Sequence, residues 1–233
     1  MPPTQHDAAS FDAEAFAELA EELQQAGDPV RTAEQVVATA VEVLDADHAS
    51  VTMIGRSHRL ETIAPTDLLV EQLDELQYEL DEGPCYDSSW RSETLLVPDL
   101  ANDRRWPNWA PKAAANGVGS MMSVELATSE RRVGALNLYF SRRRAFDADD
   151  IAFIEIFGRH ASLAVTNEAT RSQLLIALDS RKLVGQAQGI LMERHGLNDV
   201  QAFEVLKRYS TNNNVKLRLV AERLLATRKL PNT

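Results

Sequence analysis

The sequence predicts an α+β chain of two modules, a mixed sheet domain and a purely helical tail, joined by a long helix. Three observations predict it. Eight of the nine prolines lie at or before position 111 and the ninth is Pro231. Proline disrupts helix interiors and central strands, so loops belong to the first half and uninterrupted helices to the second. Short apolar runs of strand character fall between 48 and 140 with intervening helices but no regular βαβ alternation, which excludes a doubly wound sheet. The charge also reverses: residues 176–233 hold ten Lys/Arg and five Asp/Glu, giving +5 and leaving −16 for residues 1–175 of a chain whose net charge is −11. Opposite-sign modules point to different partners, and salt screens the acidic module from phosphates held more than ~8–10 Å away. The plainer alternative is a solvated basic helical tail.

Each element follows from local signals. Residues 1–10 read as disordered, and FDAEAFAELAEELQQA (11–26) as an acidic amphipathic helix ending at Gly27. Asp28-Pro29 supplies an N-cap and a first-turn proline for a helix through about Leu44. HASVTMIG (48–55) and residues 60–64 read as neighbouring strands. Leu68, Leu69, Leu73, Leu76 and Leu80 give 66–80 a helical period. DEGPCYDSSW (81–90) reads as a loop, 95–98 as a short strand and 106–116 as a short helix. Residues 119–128 and 132–140 carry the longest strand signals, with Ser129-Glu130-Arg131 suiting a tight hairpin connection.

From Asp147 the chain reads as helix to about His195. Two heptad frames fit the part up to Leu178 equally. One takes Ile151, Ile154, Gly158, Ala161, Val165, Glu168, Ser172 and Leu175; the other takes Phe153, Phe157, His160, Ala164, Asn167, Arg171, Leu174 and Leu178. A helix apolar on two faces covers its own sheet with one and pairs with a second chain through the other. Ile151, Ile154, Ala161, Val165 and Leu175 are the expected pairing set, the alternative being a helix buried within a monomer. The polar slots predict a break near 166–173. Three helices then finish the chain: 179–194 stopped by Gly196, a second from the Asn198/Gln201 capping box to about Tyr209, and a third over 216–228 capped by Asn214. Val184, Ala187, Leu191, Ala202, Phe203, Leu206, Leu217, Val220, Ala221 and Leu224 are their expected core.

Several function classes drop out. No apolar run approaches the ~18 residues of a membrane span, and the start lacks a basic region followed by an apolar stretch, so a soluble, cytoplasmic protein is expected. Cys85 is the single cysteine, which excludes an internal disulfide and a multi-cysteine zinc site. The five histidines show no metal-ligand spacing and no GxxxxGK[ST] phosphate loop occurs, so no metal site and no catalytic set is expected.

LVGQAQGILMERHGL (183–197), AFEVLKRYS (202–210) and NVKLRLVA (214–221) together closely resemble the ANTAR domain, a three-helix RNA-binding module of bacterial transcription antiterminators, over about 176–228. DEGPC (81–85), VPDL (97–100), DRRWP (103–107) and RVGALNLY (132–139) resemble a GAF domain, a small-molecule or redox sensing fold, over about 30–165. The combination resembles GAF–ANTAR regulators. It implies a sensor over 11–165 with an antiparallel sheet and flanking helices, a linking and dimerisation helix over 147–180, and an RNA-binding tail over 176–233. It further implies a homodimer that binds paired RNA stem-loops and favours an antiterminator hairpin. The alternative is a GAF-based signalling protein whose tail is an interaction or dimerisation module without direct RNA contact.

In the tail, Arg181, Lys182, Gln186, Ala187, Gln188, Gly189, Arg194, Arg208, Tyr209, Asn214, Lys216 and Arg218 are the expected RNA-binding residues. Gly185, Ala187 and Gly189 keep the first tail helix slim, allowing a nucleic-acid backbone or a crossing helix to approach. Gln188 stands where the family usually has lysine, which removes a charge, and Leu219 where it commonly has an acid. Lys216 and Arg218 open the third helix, whose exposed amides favour anions. Tyr209 is placed either to stack on an unpaired base or to fill the core. In the sensor, Cys85 is either a reactive thiol or a small buried hydrophobe, and a lone cysteine cannot support the disulfide chemistry of sulfoxide-reducing GAF enzymes. Tyr86, Trp90, Trp106 and Trp109 are candidates to wall a ligand pocket or to fill its cover. A small-molecule ligand is implied by the resemblance, but no motif names one.

Overall fold

The computed structural model describes residues 27–55, 57–91 and 93–229; the start at 1–10 and the acidic helix expected at 11–26 lie outside the described residues. The chain divides into two compact units between Ala169 and Thr170.

In the first unit, Asp28 accepts hydrogen bonds from the Val30 (2.9 Å) and Arg31 (3.4 Å) amides and starts helix α1 (Pro29–Leu44), which left-handed Asp45 ends. Strands β1 (His48–Ile54) and β2 (Leu60–Thr62) are followed by α2 (Leu68–Leu80), α3 (Pro84–Arg91) and β3 (Leu95–Val97). A 3-10 turn (Leu100–Asn102), α4 (Ala110–Ala115), β4 (Ser120–Ala127) and β5 (Arg132–Phe140) complete the sheet domain. All strand pairs are antiparallel, in the order β2-β1-β5-β4-β3. The loop expected over 81–90 is instead mostly α3. Pro84 occupies the first helical position, where a missing N–H costs nothing, so the Gly-Pro pair marks a helix start rather than a loop.

The sheet has two unlike faces. Ala49, Val51, Met122, Val124, Leu126, Leu136, Leu138 and Phe140 form an apolar face that packs against α1 and the beginning of α5 (Ala148–His195). The opposite face carries Ser50, Thr52, Ser123, Asn137 and Tyr139, all buried under α2 and α3. Such alternation ordinarily puts the polar side in water; here helices roof it. β5 can lie against β1 only because position 134 is glycine: a Cβ there would sit 1.8 Å from the Thr52 carbonyl oxygen.

α5 enters the apolar core through Ile154, Phe157, Ala161, Ala164 and Val165. This corrects the expected pairing set: Ile154, Ala161 and Val165 are the residues turned to their own sheet, Ile151 is half-buried, and Leu175 is exposed. The break expected near 166–173 is absent, since α5 is continuous from Ala148 to His195. Polar residues inside it do not interrupt the ladder; Ser162, for example, donates to the Gly158 carbonyl of its own helix at 2.6 Å.

In the second unit, the segment 179–194 is the end of α5 rather than a separate helix, and α6 (Asp199–Asn212) and α7 (Leu217–Thr227) complete a three-helix arrangement. Val184, Ala187, Leu191, Ala202, Leu206, Val220, Ala221 and Leu224 are its buried core; Phe203 is exposed and Leu217 half-buried. The capping box forms as read, with Asn198 accepting from the Gln201 amide (2.8 Å) and the Gln201 side chain accepting from the Asn198 amide (3.0 Å). Asn214 does not cap α7. It takes the left-handed conformation (φ 50°) that asparagine tolerates, which ends the turn two residues early, and Lys216 is the N-cap.

Candidate nucleic-acid interface and the sensor interior

Tail residues at the expected interface separate into exposed and committed groups. Arg181, Lys182, Gln186, Gly189, Arg194, Arg208, Asn214 and Lys216 are exposed. A Cβ added at Gly185 or Gly189 would meet nothing within 4 Å, so neither glycine is there for packing, although glycine costs about 1 kcal/mol in a helix interior. Gly189 lines a groove of about 650 Å³ with Gln186, Ile190, Glu193, Arg194, Leu225 and Arg228. Lys216 caps α7 without a side-chain hydrogen bond, so the first amides of that helix receive no cap from it and an ammonium group stands at their end.

Others are spoken for. Ala187 is fully buried in the tail core and cannot present its side chain to a ligand. Gln188 donates through Nε2 to the Asp199 carbonyl (3.0 Å), tying α5 to the first residue of α6. Arg218 is held by Glu222 (2.8 Å) and Asp179 (3.4 Å), so much of its charge is neutralised inside the tail. Arg194, though exposed, donates to the Arg228 carbonyl. Tyr209 is half-buried against the core.

In the sensor, the aromatic residues build the roof instead of lining an opening. Trp109 is fully buried and donates to the Leu73 carbonyl (3.0 Å), while Trp106 is nearly so and donates to Asp87 (2.9 Å). These bonds fasten the α4 region to α2 and α3, which corrects the pocket-wall reading for both. Tyr86 and Trp90 on α3 are half-buried in an edge-to-face pair 6.5 Å apart. Cys85 is buried, its Sγ 3.1 Å from Thr52 Oγ1. Burial, and then the charge of Asp74, push its thiol up to about 12, so it is a protonated thiol and not a nucleophile at neutral pH.

Sequence reasoning missed the group at the centre. Asp74 on α2 is fully buried and accepts from Ser50 (2.6 Å), Thr62 (3.1 Å), Tyr139 and Gln77 (3.5 Å). Gln77 also binds Tyr139 (3.2 Å) and, through Oε1, the Cys85 amide (2.8 Å). Asn137 donates to Ser50 and Thr52 (both 3.1 Å) and accepts from Ser123 (2.7 Å). The available signal was the alternation of Ser50/Thr52, Ser123 and Asn137 with apolar residues in three neighbouring strands. Among the described residues, no group of three or more His, Cys, Asp or Glu is placed to hold a metal ion.

The first unit is thus a sheet with a polar face roofed by helices, and the second a helical unit of net positive charge. A GAF domain is matched over residues 26–166, more than half of the chain, and an ANTAR domain over 172–225. The chain therefore belongs to the GAF domain family and has the architecture of a GAF–ANTAR signalling regulator; both domains are regulatory. No curated protein matches it. Solved structures share the sensor fold. The GAF domain of a phosphoenolpyruvate-protein phosphotransferase from Coxiella burnetii is 15% identical (TM-score 0.58), covering 72% of this chain and 99% of that one. The corresponding domain from Acinetobacter is 11% identical (TM-score 0.56), covering 70% and 96%. Free methionine-R-sulfoxide reductase from Neisseria meningitidis is 15% identical (TM-score 0.57), covering 72% and 96%. Among the described residues, no helix is long and apolar enough to cross a membrane.

Proposed function

We propose that this chain is an RNA-binding regulator of transcription antitermination, in which the GAF sensor governs how a pair of ANTAR tails engages two neighbouring stem-loops in the cytoplasm. The observation that carries this reading is a +5 tail that exposes Lys182, Gln186 and bare-backbone Gly189 on one helix and Lys216 at the start of another. Cations and free amides hold phosphates, and a helix stripped of side chains admits a loop close to its backbone. Full-length protein should bind a dual-hairpin RNA more tightly than duplex DNA of equal length, and with dependence on loop sequence. Equal affinity for both duplexes, or indifference to the loops, would refute it.

Two substitutions sharpen the test. Lys216→Ala should weaken binding to all RNA sequences about equally and flatten the slope of log affinity against log salt by roughly 0.7–0.9. Gly189→Ala should stabilise α5 by up to about 1 kcal/mol, since its Cβ meets open space, while lowering RNA affinity. A gain in stability with unchanged affinity would remove Gly189 from the interface.

Pairing of two chains is assigned to the part of α5 that the tail leaves bare. Leu174 (61%), Leu175 (58%) and Leu178 (61%) are exposed and fall on one side of the helix. Three large apolar side chains gathered there suit a second copy of the same helix. Leu174→Glu combined with Leu178→Glu should convert a dimer to a monomer in light scattering and reduce affinity for paired hairpins more than for a single one.

A further inference from the structure

The carboxylate of Asp74 is fully buried, and the groups that bond it are all neutral. A hydroxyl carries one proton, so the charge on Asp74 sets the direction of every bond leading to it. Thr62 donates to Asp74 and must accept from Tyr78 (2.7 Å); Tyr78 then accepts from Thr52 (2.7 Å), and Thr52 from the Cys85 thiol (3.1 Å). A second branch runs from Asn137 through Ser50, and a third from Gln77 through Tyr139. All three point inward at one negative charge.

A proton on Asp74 turns an acceptor into a donor that faces donors, so one branch has to reverse. If the long branch reverses, it ends with Thr52 donating to the Cys85 sulfur, a weak acceptor. If Ser50 or Tyr139 turns, its own hydroxyl proton must leave the bond it now makes. The ionised and protonated sites thus cannot share one bonding pattern, and of the three branches the long one carries the difference to the seam between the sheet and α3. We propose that the sensor is proton-responsive: the two charge states of Asp74 run the Thr62–Tyr78–Thr52–Cys85 relay in opposite directions and set α3 differently against the sheet.

The surroundings leave Asp74 as the group that titrates. Tyr78 on its own helix, Tyr139 on β5 and Cys85 on α3 are each pushed upward by burial and stay neutral around pH 6. From β1, β2 and β4 the facing groups are the hydroxyls of Ser50, Thr52, Thr62 and Ser123, which do not titrate. Burial raises Asp74 from 3.8 to about 6, against the pull of its Ser50, Tyr139 and Thr62 donors. Because the native value lies above the ordinary one, the folded chain takes up the proton as pH falls through about 6, ahead of the unfolded chain.

The test uses the full-length chain and is independent of what its tail binds. Infrared difference spectra between pH 7.5 and pH 5 read a buried protonated carboxyl, and tryptophan fluorescence reads Trp90 on α3 and Trp106, which is bonded to Asp87 of α3. Both signals should change together with a midpoint near pH 6. Asp74→Asn should abolish them. Thr62→Val keeps the charge but removes one donor, and should move the midpoint upward. His48 is paired with Asp67 at 2.5 Å and makes no bond to Asp74, so His48→Gln should leave the midpoint in place. A missing carboxyl band at pH 5, a transition that survives Asp74→Asn, or a midpoint unmoved by Thr62→Val would overturn the proposal; if Asp74→Asn does not fold, the Thr62 variant decides.

Discussion

Gly134→Ala is expected to leave no folded sensor. The new methyl would lie 1.8 Å from the Thr52 carbonyl oxygen and 2.7 Å from its carbon. Both atoms are backbone of the adjacent strand, held in register by pairs from His48↔Tyr139 to Met53↔Gly134. No rotamer change relieves such a contact, so β1 and β5 must part at the centre of the sheet. The cost belongs with the exceptional substitutions above about 4 kcal/mol, comparable with the whole stability of a small domain, about 5–15 kcal/mol. Circular dichroism and urea titration check it, with insoluble or unfolded protein as the outcome. Gly185→Ala, whose Cβ meets nothing within 4 Å, should fold normally and gain up to about 1 kcal/mol.

Leu206→Ala is expected to unfold the tail while the sensor stays intact. Leu206 is fully buried among eight core residues, three of them alanine. Truncating a core leucine costs about 2–5 kcal/mol, and a core of this size rarely supplies more than ~3–5 kcal/mol. Hydrogen exchange should show protection lost in α6 and α7 with the sheet amides unchanged, and the RNA binding proposed for the tail should disappear with it. Leu206→Met, which keeps the volume, should retain both.

The fold was legible wherever a side-chain pattern matched its environment. Asp28-Pro29 announced α1, the Asn198/Gln201 pair announced α6, and β4 and β5 followed from long apolar runs about a three-residue turn. α3 escaped because Gly83-Pro84 has two readings, and only the docking of Cys85 and Ser88 beneath the sheet selects the helical one. The long helix from Asp147 to His195 was legible from its lack of proline, but the break expected near 166–173 does not form, and Glu168, one of its polar slots, is buried within the continuous α5.

Site residues were harder. A cation count marks Lys216 and Arg218 equally, yet Arg218 is drawn to Glu222 and Asp179, a pairing that only the folded tail creates. Likewise Gln188 reads as a lysine lost from a binding face until its bond to Asp199 is seen. Asp74 was hidden for the opposite reason. On a helix rich in Glu and Gln an aspartate passes for a solvated residue, and its partners come from three strands distant in sequence.

The division of the sheet into an oily side and a hydroxyl-rich side has an evolutionary consequence. The packing against α1 and α5 lies on one side, and on the other a second apolar cluster that includes Val70, Leu73, Trp109 and Met121 surrounds the polar patch, so its serine, threonine, asparagine and aspartate can be exchanged as bond-matched sets without touching either cluster. Descendants of such a chain can acquire new inputs by a few conservative replacements beneath α2 and α3 while inheriting the same scaffold and the same output.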